Sequence, residues 1–320
     1  MLNFIILAAS LAAIIIYGAN FLVDGASSLA KKYNIPNIVI GLTIVAFGTS
    51  SPELAVSAYS AYTGNAEIAI GNVVGSNIVN ILLILGITAT IFPLTILKNT
   101  VLKEIPLSLL AAIVLYLMIN DIRFSGHQKD VISLADGIIL LGFMTIFMYY
   151  MLHLAKSSGE DEDLEIQKMT VAKSVIYIVF GLILLVGGGK FFVDAAVGIA
   201  EGFGMSKAII GLTIVAIGTS LPELATSVVA ALKRNSDIAV GNIVGSNIFN
   251  IFFILGTSAI ISPLPKGNIT DFDLLACIFA SVLLLMSAYT MERHKVTRVE
   301  GIIFIFCYVA YIGYQISVAL

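Results

Sequence analysis

The feature that most restricts this chain is that it contains the same unit twice. Sliding the sequence by 170 residues aligns IGLTIVAFGTSSPELAVS (40–57) with IGLTIVAIGTSLPELATS (210–227), and GNVVGSNIVNILLILG (71–86) with GNIVGSNIFNIFFILG (241–256). Between 11–90 and 181–260, 38 of 80 positions are identical without a gap, so two copies of one structural unit organise the fold. A weaker echo follows, Asp136-Gly137 and Glu300-Gly301, each opening a long apolar run.

Apolar stretches of about twenty residues, each long enough to cross about 30 Å of hydrocarbon, recur from end to end. Only 12% of the residues are charged, against about 25% in a soluble domain. The fold class expected is therefore all-α integral membrane, with ten spans at roughly 2–23, 37–62, 68–92, 105–120, 132–154, 174–199, 208–231, 238–262, 272–290 and 301–319. The first span has no basic region before it and no small-residue cleavage site, so it is expected to stay in place. A net charge of −3 and the lack of a Lys/Arg-rich tract exclude a nucleic-acid partner. Cys277 and Cys307 both sit in apolar runs, which excludes a disulfide framework.

Residues 1–155 are expected to form a first five-helix repeat and 174–320 a second. The polar stretch 156–173, with five acids between Glu160 and Glu165, would be a solvated linker between them. An odd number of spans per repeat makes the second copy enter the membrane from the opposite side, so the repeats are inverted. Lys and Arg number twelve in the connections after odd-numbered spans and four on the other side. By the positive-inside bias, both termini are expected outside a cytoplasmic membrane and the acidic linker inside.

Eighteen of the twenty acidic residues fall in connections or near span ends; Glu53 and Glu223 lie deep in apolar spans at equivalent positions. An ionisable group near the bilayer centre costs several kcal/mol unless it meets a partner or a wet cavity. Each follows a proline, in GTSSPE (48–53) and GTSLPE (218–223). Proline lacks a donor and disfavours helical geometry before it, which frees backbone carbonyls. Carbonyls, hydroxyls and a carboxylate at one break are hard ligands suited to Na⁺ or Ca²⁺. A capped proline kink accounts for one such copy but not for a glutamate at both. Asn72, Ser76 and Asn80 recur every four residues, as do Asn242, Ser246 and Asn250, so each trio forms one polar helical stripe. These stripes read either as interhelical hydrogen bonding or as the rest of a coordination shell. No HExxH, paired-cysteine or nucleotide-binding motif occurs, so neither an enzyme nor direct ATP coupling is indicated.

GTSSPEL with GNVVGSNIVN, repeated as GTSLPEL with GNIVGSNIFN, resembles the two alpha-repeats (40–86 and 210–256) of the cation/calcium exchanger superfamily, above all its prokaryotic sodium/calcium exchanger-type members. The resemblance implies that Glu53 and Glu223 are the central Ca²⁺-binding carboxylates. It also implies that Thr49, Ser50, Thr219, Ser220, Ser76, Ser246, Asn80 and Asn250 match positions that line the Na⁺ and Ca²⁺ sites. Some branches carry aspartate at the position of Asn80 or Asn250, which argues against K⁺ co-transport here. The function implied is antiport of Ca²⁺ against Na⁺ by alternating access, with three Na⁺ per Ca²⁺. A Ca²⁺/H⁺ antiporter is the alternative, and a gated cation channel a third reading. The expected partners are the transported ions, H⁺ as a competitor, and the lipid bilayer, with no permanently bound cofactor and no obligate protein partner.

Overall fold

The computed structural model describes residues 2–124, 126, 129–156, 169–202 and 216–319. Among them, seven helices are long and apolar enough to cross a membrane: Ile5–Tyr33, Ile68–Ile91, Thr100–Met118, Leu134–Leu154, Val171–Ala200, Ser236–Ile261 and Arg298–Val318. An eighth span is broken, Asn37–Thr49 and Ser51–Tyr62 meeting at 47°. Leu221–Leu232 and Asp271–Ser287 are shorter helices at the places of the expected seventh and ninth spans. Most of the acidic linker (157–168) and the start of the seventh span (208–215) lie outside the described residues.

The first helix runs well past the end expected for it, and Lys31 and Lys32, which fall between the first two expected spans, occupy its last turn. Polarity there marks side chains with partners inside the protein instead of a span end. Asp24 receives the Lys233 ammonium at 2.6 Å, Ser27 accepts from Asn235 at 3.1 Å, and Ser28 accepts from Ser174 at 3.1 Å. The helix stops where Asn34 turns left-handed (φ 53°) ahead of Pro36, a common helix ending.

Two helices form the centre. In Ser236–Ile261, 94% of the apolar window is buried, and in Ile68–Ile91, 72%, against 25% in Ile5–Tyr33 and 28% in Val171–Ala200. Apolar side chains gain little by leaving lipid for protein, so such helices associate through close packing of small residues. A Cβ on Gly241 would lie 3.0 Å from the Leu42 amide nitrogen, and one on Gly245 2.8 Å from the Leu42 carbonyl. The first limb of the broken span therefore rests directly on the second central helix. A Cβ on Gly181 would lie 2.6 Å from the Leu22 amide nitrogen, so Val171–Ala200 touches Ile5–Tyr33 backbone to backbone.

The two halves also exchange short strands that the periodicity does not foresee. β1 (Leu94–Thr95) pairs antiparallel with β4 (Lys295–Val296), and β2 (Val131–Ile132) with β3 (Leu264–Pro265). Each pairing joins one half to the other.

The echo of Asp136-Gly137 and Glu300-Gly301 has a structural cause. Asp136 closes a capping box with Ser133, and Glu300 accepts from the Thr297 backbone N–H at 2.8 Å while its own N–H donates back to the Thr297 hydroxyl, an arrangement that satisfies helix-start donors reciprocally. The glycine after each cap crosses the other half: a Cβ on Gly137 would lie 2.9 Å from the Gly256 carbonyl, and one on Gly301 2.7 Å from the Gly86 carbonyl. Gly301→Ala is expected to lower stability in detergent by about 1–3 kcal/mol through overpacking. On the same helix Gly313 has open space around it, and Gly313→Ala is expected to be neutral or to gain up to about 1 kcal/mol of helix propensity. Thermal melting of the two purified variants checks the contrast.

Candidate cation site

The site forms where both helix breaks meet the two central helices. Ser50 and Ser220 leave helical geometry at φ −81°, ψ 8° and φ −89°, ψ 8°, each just before the first turn of a new helix containing Pro52 or Pro222. A proline nitrogen cannot donate to the carbonyl four residues back, which releases the carbonyls of Gly48 and Gly218. These glycines also let the breaks approach Val171–Ala200, since a Cβ on Gly48 would lie 2.5 Å from a Leu182 methyl and one on Gly218 2.1 Å from a Val193 methyl.

Glu53 and Glu223 are each 1% exposed, and each is held from both halves of the chain. The Glu53 Oε1 accepts from Ser76 of its own half at 3.5 Å and from Ser220 of the other at 3.3 Å. The Glu223 Oε1 accepts from Ser246 at 3.4 Å and from Ser50 at 3.0 Å. The Thr49 hydroxyl donates to the Asn242 Oδ1 at 3.0 Å. Six of the ten residues expected to form the site, the two glutamates with Ser50, Ser76, Ser220 and Ser246, are thus joined by hydrogen bonds through the carboxylates.

Asn80 and Asn250 are equally buried but turn their amide nitrogens away from the carboxylates. The Asn80 Nδ2 donates to the Asn247 Oδ1 at 3.0 Å, and the Asn250 Nδ2 to the Asn77 Oδ1 at 2.9 Å. Both residues lie at the start of a π-helical segment, Val79–Leu85 and Phe249–Leu255, a widening of the helix frequent at functional sites. Asn72 and Asn242 have another task. Asn72 donates to the Glu53 carbonyl at 3.2 Å and to Ser57 at 2.9 Å, and Asn242 to the Glu223 carbonyl at 3.3 Å and to Ser227 at 3.0 Å. The hydrogen-bonding reading of the polar stripes therefore holds for Asn72 and Asn242, while Ser76 and Ser246 on the same stripes reach the carboxylates. Sequence reasoning passed over Asn77, Asn247, Ser57 and Ser227; all four are identical between the repeats, the one signal that marks them.

Nine buried polar side-chain atoms have no hydrogen-bond partner among the described residues. Four of them belong here: the Oε2 of Glu53 and Glu223 and the Oδ1 of Asn80 and Asn250. Orphaned buried polar atoms are rare and call for an explanation. All four are acceptors in equivalent pairs, and a bound cation would satisfy them together. No group of three or more His, Cys, Asp or Glu occurs among the described residues. The shell therefore offers two carboxyl groups and otherwise neutral oxygen, a donor set that suits Ca²⁺ and Na⁺.

A buried oxygen shell in a bundle of membrane helices is the architecture of an ion transporter. A profile of the sodium/calcium exchanger protein family matches residues 3–153 and 173–317. The chain is 40% identical over 313 residues to a putative antiporter, CaxA, of Alkalimonas amylolytica, covering 94% of each chain. It is 31% identical over 345 residues to the sodium/calcium exchanger MaX1 of Methanosarcina acetivorans, covering 97% of each. Among solved structures, the sodium-calcium exchanger NCX_Mj soaked with Na⁺ and Sr²⁺ superposes with a TM-score of 0.82 at 34% identity, over 98% of both chains. The chain belongs to the sodium/calcium exchanger family: it is a multi-pass membrane antiporter of cations and Ca²⁺, and not an enzyme.

Proposed function

We propose that this protein moves Ca²⁺ across the cytoplasmic membrane against a counterflow of Na⁺, three Na⁺ per Ca²⁺, exporting Ca²⁺ on inward Na⁺ flux. The observation that carries this reading is the buried set of four unpartnered oxygens on Glu53, Glu223, Asn80 and Asn250. The hydroxyls of Thr49, Ser50, Ser76, Thr219, Ser220 and Ser246 complete the shell. Sodium as the counter-ion is supported by MaX1 and NCX_Mj, both sodium/calcium exchangers by name. Two carboxylates neutralise one Ca²⁺, whereas Na⁺ needs more neutral oxygens per charge, and this shell is rich in those.

The architecture behind the reading is ten helices in two inverted five-helix repeats, 1–155 and 174–320, joined through 156–173. Contacts that come in pairs 170 residues apart support it: Ser76 with Glu53 matches Ser246 with Glu223, and Asn72 with Ser57 matches Asn242 with Ser227. Binding between inverted repeats, on broken helices, is the usual arrangement for alternating access. The elements that slide are Ile5–Tyr33 and Val171–Ala200, which are mostly exposed to lipid and touch along glycines.

The test is radiolabelled Ca²⁺ uptake into vesicles holding the purified protein, with an imposed Na⁺ gradient, an imposed pH gradient, or neither. Uptake driven only by the Na⁺ gradient is expected. Uptake driven by the pH gradient alone would identify a Ca²⁺/H⁺ antiporter, and uptake with no counter-ion a channel.

Two further results are expected. Because H⁺ and Ca²⁺ bind the same carboxylates, mild acidification raises the Ca²⁺ concentration for half-maximal exchange and leaves the rate at saturating Ca²⁺ nearly unchanged. A half-saturation value that stays flat with pH would remove the glutamates from the site. The Lys/Arg bias places both termini outside, so a reporter active only in the cytoplasm stays silent when fused after Leu320. Strong activity there would reverse the topology.

A further inference from the structure

Four buried asparagines are joined in one hydrogen-bonded network across the two halves. The Asn77 Nδ2 donates to the backbone carbonyl of Asn247 at 3.3 Å, and the Asn247 Nδ2 to the backbone carbonyl of Asn77 at 3.4 Å. Their Oδ1 atoms then accept from Asn250 and Asn80. A backbone carbonyl can only accept, so Asn77 and Asn247 have one workable orientation each. Turning Asn247 over would set its Oδ1 against the Asn77 carbonyl and its Nδ2 against the Asn80 Nδ2, two repulsive contacts in place of two hydrogen bonds. The orientation of Asn80 and Asn250 is fixed in turn, because their donors are spent across the interface between halves and their Oδ1 atoms are left buried and unpartnered.

Resting on the exchange reading above, we propose that Asn77 and Asn247 are positioning residues for the cation site: each locks the amide of the asparagine across from it so that an oxygen, and never an N–H, faces the ion. A neutral amide is a usable ligand only in one of its two orientations, whereas a carboxylate presents oxygen in both. The brace therefore lets asparagine serve at positions 80 and 250 without adding charge to the shell. It also couples the repeats, since the oxygen of Asn80 is set by a residue of the second half and that of Asn250 by a residue of the first.

The test is a double-variant cycle in which Asn80→Asp makes the orientation irrelevant. Half-saturating Ca²⁺ is measured in Na⁺-driven exchange, and in parallel from the rise in melting temperature on titration with Ca²⁺ alone. Asn247→Ala is expected to raise it tenfold or more when position 80 is asparagine. In the Asn80→Asp background, an aspartate oxygen faces the Asn247 Oδ1 where the Nδ2 donated, so the same Asn247→Ala change relieves a repulsion and is expected to raise it less than threefold or to lower it. Equal losses in both backgrounds would show that the brace acts only by holding the helices together, and would overturn the proposal. So would an Asn247→Ala protein with unchanged half-saturation. If Asn247→Ala does not purify, Asn77→Ala with Asn250→Asp carries the same cycle with the same criteria. Glu53→Gln in the same assays separates this proposal from the reading it rests on. Loss there with Asn247→Ala unaffected refutes the brace alone, whereas Ca²⁺ binding retained in Glu53→Gln refutes the site.

Discussion

Glu53→Gln brings Na⁺-driven Ca²⁺ uptake to background, and Glu223→Gln does the same; this is the largest effect expected of any single substitution. Glutamine keeps the size of glutamate and can keep Oε1 where Ser76 and Ser220, or Ser246 and Ser50, donate to it. What it changes is the unpartnered Oε2, which becomes an NH₂ group with its donors aimed at the cation. The site loses half its negative charge and gains a repulsive group. Removing one partner of a buried ion pair costs about 3–5 kcal/mol, two to four orders of magnitude in affinity. The two variants should be alike, because the two carboxylates have equivalent partners in opposite halves. They should also insert and purify, since glutamine matches the volume of glutamate and its oxygen can keep the serine hydrogen bonds. Near-normal exchange in either variant, measured by radiolabelled Ca²⁺ uptake, would exclude a shared two-carboxylate site.

The second large effect, expected of the proposed exchange of three Na⁺ for one Ca²⁺, is electrical. With Ca²⁺ bound, two carboxylates leave the loaded site neutral; with three Na⁺ bound, the same site carries +1. Each turnover then moves one net charge, and about 2.3 kcal/mol per 100 mV of membrane potential enters the driving force. Vesicles clamped at different K⁺ diffusion potentials should therefore reach zero net Ca²⁺ flux at different Na⁺ gradients. A null point independent of voltage would mean two Na⁺ per Ca²⁺. It would also show that neutral oxygens at Asn80 and Asn250 do not stabilise the third Na⁺.

The membrane class, the duplication and both carboxylates were legible from local pattern. A mid-span proline cannot donate to the carbonyl four residues back, so the breaks at 48–53 and 218–223 could be located without neighbours, whereas Pro106 is accommodated at a π-helical turn inside the unbroken Thr100–Met118 span. Thr49, Ser50, Thr219 and Ser220 lie in those same motifs and Ser76 and Ser246 in the polar stripes, and six of the ten expected residues are joined by hydrogen bonds at the carboxylates. Boundaries were harder. The first helix outlasts its apolar run because Asp24, Ser27 and Ser28 find partners in distant segments. The strands escape detection because each is two residues long and each partner lies in the other half.

What the sequence determined by itself is everything that acts within a few residues: apolar length, the helix breaks, and the placing of two acids in otherwise apolar spans. What only the tertiary structure decided is which oxygen faces which. Ser220 serves Glu53 and Ser50 serves Glu223, across 167 and 173 residues, and Asn77 and Asn247 set amides in the opposite half. Such pairings follow from how the halves pack around one another, and a contact between segments so far apart leaves no periodicity in either of them. The duplicated motif marks these residues as equivalent, but only the packed helices make them partners.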